Sequence, residues 1–128
     1  MIEFPYVAEN ALPFPQVRLM IATANSGKFV SGLSAKVDTG ADRTVIPGNL
    51  LVSLGVAPFD NLLFEGADGH RFQLPVYQLQ VTIEGFGPIG VEAAGSGRES
   101  LILLGRDVLN LYRIALDGPH GRLELSGT

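Results

Sequence analysis

Ala35-Lys36-Val37-Asp38-Thr39-Gly40-Ala41-Asp42-Arg43-Thr44-Val45-Ile46 is the stretch on which the reading of this chain turns. An acidic residue, a hydroxyl and a glycine follow one apolar segment and precede another. Upstream, Val17 to Ala24 reads as a strand, Asn25-Ser26-Gly27 as a turn, and Phe29 to Val37 as a returning strand. The chain therefore enters Asp38-Thr39-Gly40 from a strand. A lone carboxylate there cannot hydrolyse a peptide, because activating water and protonating a leaving group takes two carboxyl groups sharing one proton. Asp-Thr-Gly occurs once in 128 residues. If it is catalytic, the second carboxylate comes from a second copy of the chain, with the site on a two-fold axis.

Downstream, Pro47 can open a short helix, since a proline at a helix start gives up an N–H that has no partner there. Leu50, Leu51 and Leu54 follow at helical spacing, and Gly55 can end the helix. Leu62 to Leu74 has two apolar arms around Gly66-Ala67-Asp68-Gly69, the pattern of a hairpin with a glycine-bearing tip. In Tyr77 to Glu84 the apolar Tyr77, Leu79, Val81 and Ile83 alternate with polar residues, so one face is apolar. Ile89 to Ala94 is a further strand. Leu101-Ile102-Leu103-Leu104 is a continuous apolar run, as in a strand covered on both faces. Asp107 to Leu111 can form a helical turn. Tyr112, Ile114 and Leu116 alternate again, and Gly118-Pro119-His120-Gly121 turns the chain into Arg122 to Leu125. Many short strands with regular turn signals predict an all-β domain. The first 15 residues hold three prolines and read as an extended arm, with residues 16–128 as the domain.

Composition excludes several classes. Net charge is −4 and the nine Lys and Arg are scattered, so nucleic acid and anionic membranes are not the expected partners. The absence of cysteine excludes disulfides, thiol catalysis and Cys-based zinc sites. His70 and His120, the only histidines, lie in separate turn-like segments, so no metal site is expected. There is no phosphate-binding glycine loop and no nucleophile elbow. No apolar run approaches the roughly 18 residues of a membrane span, and the start lacks the basic and apolar regions of a signal peptide. A cytoplasmic protein is the expectation. Apolar residues make up 46% of the chain, and a dimer interface would cover part of that surface.

Two segments stand out together: Val37-Asp38-Thr39-Gly40-Ala41-Asp42 and Ile102-Leu103-Leu104-Gly105-Arg106-Asp107. On these the sequence resembles the retropepsin-like family, the retroviral-type aspartic proteases with bacterial single-domain members, from about Pro15 to Leu125. The resemblance implies a closed, mostly antiparallel β-barrel with one short helix, acting as a homodimer. It implies an aspartic endopeptidase that needs no cofactor and takes peptide or protein substrates. Asp38 then corresponds to the catalytic aspartate, facing its own copy. Thr39 corresponds to a hydroxyl that bonds across the dimer. Gly40 and Ala41 allow close approach of backbone and substrate. Asp42 corresponds to an acidic residue paired, in a buried ion pair, with Arg106 after Gly105. Arg43, less typical, is expected to point toward substrate and shape a subsite. The Gly66, Ala67, Asp68 and Gly69 tip falls where the family carries a flap, which closes over an extended peptide and excludes water. It has fewer glycines than many retroviral flaps and carries Asp68 and His70. Tyr112 to Leu125 resembles a longer closing hairpin than the retroviral ending and is the expected dimer seam. Two rival readings are a retropepsin-like dimerisation or peptide-binding module with weak or no hydrolysis, and a hydrolase active only when fused or recruited to a membrane or larger assembly.

Overall fold

The computed structural model describes residues 1–8 and 12–127. Among these described residues ten strands and two short helices run in the order β1 (Ile2–Pro5), β2 (Gln16–Thr23), β3 (Phe29–Val37), β4 (Val45–Pro47), α1 (Gly48–Leu54), β5 (Asp60–Glu65), β6 (Arg71–Ile83), β7 (Pro88–Ser96), β8 (Ile102–Leu104), α2 (Arg106–Leu109), β9 (Arg113–Asp117) and β10 (Arg122–Ser126).

One sheet has the order β2-β3-β8-β4-β7-β6-β5, and β2 also pairs with β6. That second pairing closes β2, β3, β8, β4, β7 and β6 into a barrel, with β5 outside it as an edge strand. Inward positions follow the period-two reading. Val17, Leu19 and Ile21 of β2 and Leu79, Val81 and Ile83 of β6 are all within 1% of full burial. β8 lies inside the sheet, parallel to β3 and antiparallel to β4, with Ile102 and Leu104 buried and Leu103 on the other face only partly so.

β6 is longer than expected. It continues through Pro75, where a break between two strands would be natural. Pairing with β7 begins only at Val76, so at Pro75 the strand has β5 as its one neighbour and the missing N–H disturbs no second ladder. α1 begins after Pro47 and ends at Gly55, burying Leu51 and Leu54 against the barrel. A smaller sheet, β1-β10-β9, lies against the barrel. Ile2 and Phe4 of β1 stand opposite Leu125 and Leu123 of β10. Leu123 and Leu125 are fully buried in the single core cluster. Leu123 and Leu125 therefore belong to the core of the chain itself, while Leu116 on the same hairpin stays exposed.

Candidate active site

The site is built where β3 and β8 end side by side. Val37 stands opposite Leu104, and the Asp38 N–H donates to the Leu104 carbonyl at 3.0 Å. The chain then loops through residues 39–44 and returns as β4 on the other side of β8. Within the loop the Gly40 N–H donates to Asp38 Oδ1 at 3.1 Å and the Ala41 N–H to the Asp38 carbonyl at 3.2 Å. This is the turn that an Asp two residues before a Gly favours. It fixes one carboxylate oxygen. Asp38 is half-buried, whereas Thr39 and Gly40 face solvent.

The second segment clasps this loop. The Arg106 N–H donates to the Ala41 carbonyl at 2.8 Å, and Arg106 Nη1 donates to the Thr39 carbonyl at 2.9 Å. Gly105 has a steric reason to be glycine. A Cβ there would lie 2.6 Å from the Arg43 carbonyl carbon and 2.9 Å from the Thr44 nitrogen, both backbone atoms with no room to yield.

The expected buried pair of Asp42 with Arg106 is not formed. Both residues are exposed, and the Arg106 guanidinium is occupied by the Thr39 carbonyl. The carboxylate that ties the two segments together is Asp107. Its Oδ2 accepts from the Thr44 N–H at 3.0 Å, and its Oδ1 accepts from the Thr44 hydroxyl at 2.7 Å and from the Val108 N–H at 3.0 Å. The Thr44 hydroxyl in turn accepts from the Gly105 N–H at 3.1 Å. Thr44 is fully buried, so its polar atoms need these partners. A threonine opening the apolar run Thr44-Val45-Ile46, and a carboxylate one residue past Arg106, were the signals for this tie.

Arg43 borders the cleft, yet its guanidinium turns to β7. Nη1 donates to the Glu92 carbonyl at 2.9 Å and lies 3.6 Å from the Glu92 carboxylate. It does not reach freely toward a substrate as expected.

β5 and β6 form the predicted hairpin. Gly66, Ala67, Asp68 and Gly69 make its turn, with the Gly69 N–H donating to the Gly66 carbonyl at 2.9 Å and the Gly66 N–H to the His70 carbonyl at 2.8 Å. Gly69 sits at φ +81°, a conformation that side chains with a Cβ rarely adopt. The Asp68 carboxylate accepts from the His70 N–H at 3.0 Å and stiffens the tip. Phe64 and Phe72, opposite each other on the two arms, stack with ring centres 6.2 Å apart.

A cleft of about 710 Å³ is lined by Gly40, Ala41, Asp42, Arg43 and Val45, by the hairpin, and by the loop from Ser96 to Glu99. Its size suits a small ligand or a stretch of peptide. Asp38 and Thr39 are not part of that lining, which begins at Gly40. Among the described residues no group of three or more His, Cys, Asp or Glu side chains converges to hold a metal ion. Among the described residues no helix is long and apolar enough to cross a membrane.

A barrel with β8 inserted between β3 and β4, an Asp-Thr-Gly loop at their ends and a hairpin beside it is the retropepsin-like aspartic protease fold. The chain is similar to the protease of EIAV complexed with an inhibitor: TM-score 0.55, 22% identity, covering 81% of this chain and 92% of that one. It is similar also to a retropepsin-like aspartic protease from Rickettsia conorii, with TM-score 0.52 and 18% identity, covering 84% and 90% of the two chains. The foamy viral protease-reverse transcriptase matches with TM-score 0.57 and 19% identity over 80% of this chain, which spans only 13% of that longer one. No family model and no curated protein matches the sequence. At these identities the likeness establishes the fold.

Proposed function

We propose that the chain is one half of a homodimeric aspartic endopeptidase, with two copies of Asp38 facing each other across a two-fold axis. The observation that carries this reading is the setting of Asp38. Its backbone is held by β8, one carboxylate oxygen is tied to the Gly40 N–H, and the loop that follows lines a peptide-sized cleft from Gly40 onward. Among the described residues its other oxygen and the Thr39 hydroxyl have no hydrogen-bond partner, which leaves both free for a second copy and a water.

In such a pair one carboxyl holds a proton and the other is ionised. The ionised group takes a proton from water as the water oxygen attacks the scissile carbonyl carbon, and the protonated group gives its proton to the carbonyl oxygen. Collapse of the adduct breaks the C–N bond and returns a proton to the leaving amine. The β5–β6 hairpin serves as the flap over the bound strand, with Phe64 and Phe72 supplying its apolar underside.

The test is incubation with a mixed peptide library. The unaltered protein cleaves, and Asp38→Asn abolishes cleavage while leaving the fold intact. Specific activity falls on dilution below the dimer dissociation constant, because one chain holds one carboxyl of the pair. Full activity in Asp38→Asn, or undiminished turnover in a monomer, would overturn the mechanism.

A further inference from the structure

The cleft is uneven in charge. Asp42, Glu65, Asp68 and Glu99 bring four carboxylates to its lining, against the guanidiniums of Arg43 and Arg98. Arg43 is already neutralised by Glu92, which lies outside that lining. None of the four carboxylates is in an ion pair among the described residues. Arg98 and the imidazole of His70 are the other basic groups in the lining. The same cleft offers an apolar wall: the stacked Phe64 and Phe72, with Val45 and Leu74. Phe72 remains 42% exposed, so part of that wall lies uncovered.

We infer that the cleft selects peptides that carry Lys or Arg beside a large apolar side chain and rejects acidic ones. The inference rests on the peptide-binding reading above. An apolar side chain gains by covering Phe64 and Phe72. Basic neighbours answer the unpaired carboxylates, while an acidic neighbour meets repulsion in a concave site that concentrates the field. Arg43 adds little counterweight, because Glu92 cancels its charge. Asp42 and Asp68 come from different walls, the loop after β3 and the hairpin tip, so basic residues are favoured along the strand and not at one position only.

Three fluorescent decapeptides test this, sharing one central Phe-Leu pair and flanked by Lys, Gln or Glu. Binding is measured on the Asp38→Asn protein, and hydrolysis on the unaltered protein. The Lys-flanked peptide is expected to bind about tenfold tighter than the Glu-flanked one, the product of a few solvent-exposed charge contacts each worth roughly 1.5- to 5-fold. The gap narrows in high salt. Glu65→Gln with Glu99→Gln shrinks the Lys-to-Glu ratio several-fold, and an unchanged circular dichroism spectrum reports that the variant is folded. Equal binding of the three peptides, or a ratio that these substitutions do not move, would overturn the inference. Lys-selective binding without any hydrolysis would sink the peptidase reading and leave the charge preference standing. Failure to bind any of the three would overturn both.

Discussion

Replacing Thr44 by Val tests whether the polar tie between Thr44 and Asp107, and not packing alone, fixes the loop after Asp38. The two side chains have nearly the same shape. The Gly105 N–H, buried and donating to the Thr44 hydroxyl at 3.1 Å, loses its partner. A buried donor left unsatisfied costs about 1–3 kcal/mol. The Asp107 carboxylate loses the 2.7 Å bond from the hydroxyl but is itself exposed, so water can replace it. The Thr44 N–H keeps its bond to Asp107 Oδ2. The extra methyl recovers up to about 0.8 kcal/mol of apolar burial. The net expectation is a loss of about 1–2 kcal/mol.

Urea denaturation of Thr44→Val, Thr44→Ser and the parent protein at one protein concentration decides the point. Thr44→Ser keeps the hydroxyl and removes one buried methyl, for a loss of about 1 kcal/mol. The polar tie requires Val to be the more damaging change. Asp107→Asn should be non-additive with Thr44→Val, as expected of groups in contact. A Val variant as stable as the parent, with Ser the worse of the two, would refute the reasoning and leave Thr44 as a packing residue.

Gly105→Ala should destabilise by about 3 kcal/mol or more, or prevent folding, because its Cβ would meet backbone atoms at 2.6–2.9 Å; a soluble variant with an unchanged urea midpoint would contradict the close approach. Arg106→Ala should change stability by only about 1 kcal/mol, since the exposed guanidinium bonds one carbonyl and sits in no buried ion pair; a loss above 3 kcal/mol would restore the buried-pair reading. Burial tends to raise the Asp117 carboxyl, but the hydrogen bonds from the His120 N–H and ring and the nearby His120 and Arg122 charges outweigh it and hold the group below its ordinary value. A lowered carboxyl stabilises the fold above the ordinary carboxylate range, near pH 4, and that contribution disappears as pH falls through the folded value. The gap in urea midpoint between the parent and Asp117→Asn should therefore close between pH 6 and pH 3, and a gap that stays constant would remove Asp117 from the acid response.

Local pattern accounts for what could be read in advance. The alternation of Leu79, Val81 and Ile83 marks a strand with one buried face, and those residues line the core. The glycine-bearing stretch from Gly66 to Gly69 marks a hairpin, and the arms pair from Asp60↔Val76 to Glu65↔Arg71. Alternation does not say what a face is buried against. Leu123 and Leu125 read equally as core or seam, and only the packing of the small sheet against the barrel makes them core. The loop posed the same difficulty in charge. Asp42, Arg106 and Asp107 are all adjacent to the two glycine-bearing motifs, and sequence order cannot tell which carboxylate turns inward. The decision lies in the crossing of β8 between β3 and β4, which sets the buried Thr44 beside Asp107 and leaves Asp42 in the cleft.

That division of labour among the three charged groups bears on the proposed chemistry. A loop that must present a carboxylate to a second copy has to be rigid without spending that carboxylate on its own support. Here the support comes from elsewhere: Asp107 holds Thr44, the Arg106 side chain holds the Thr39 carbonyl, and the Leu104 carbonyl holds the Asp38 backbone. Asp38 gives up one oxygen to the Gly40 N–H and retains the other. In the isolated chain Asp38 is half-buried while Thr39 and Gly40 face solvent. On the proposed reading the second copy does two things at once. It supplies the other carboxyl and removes the water, so association and activation are one event.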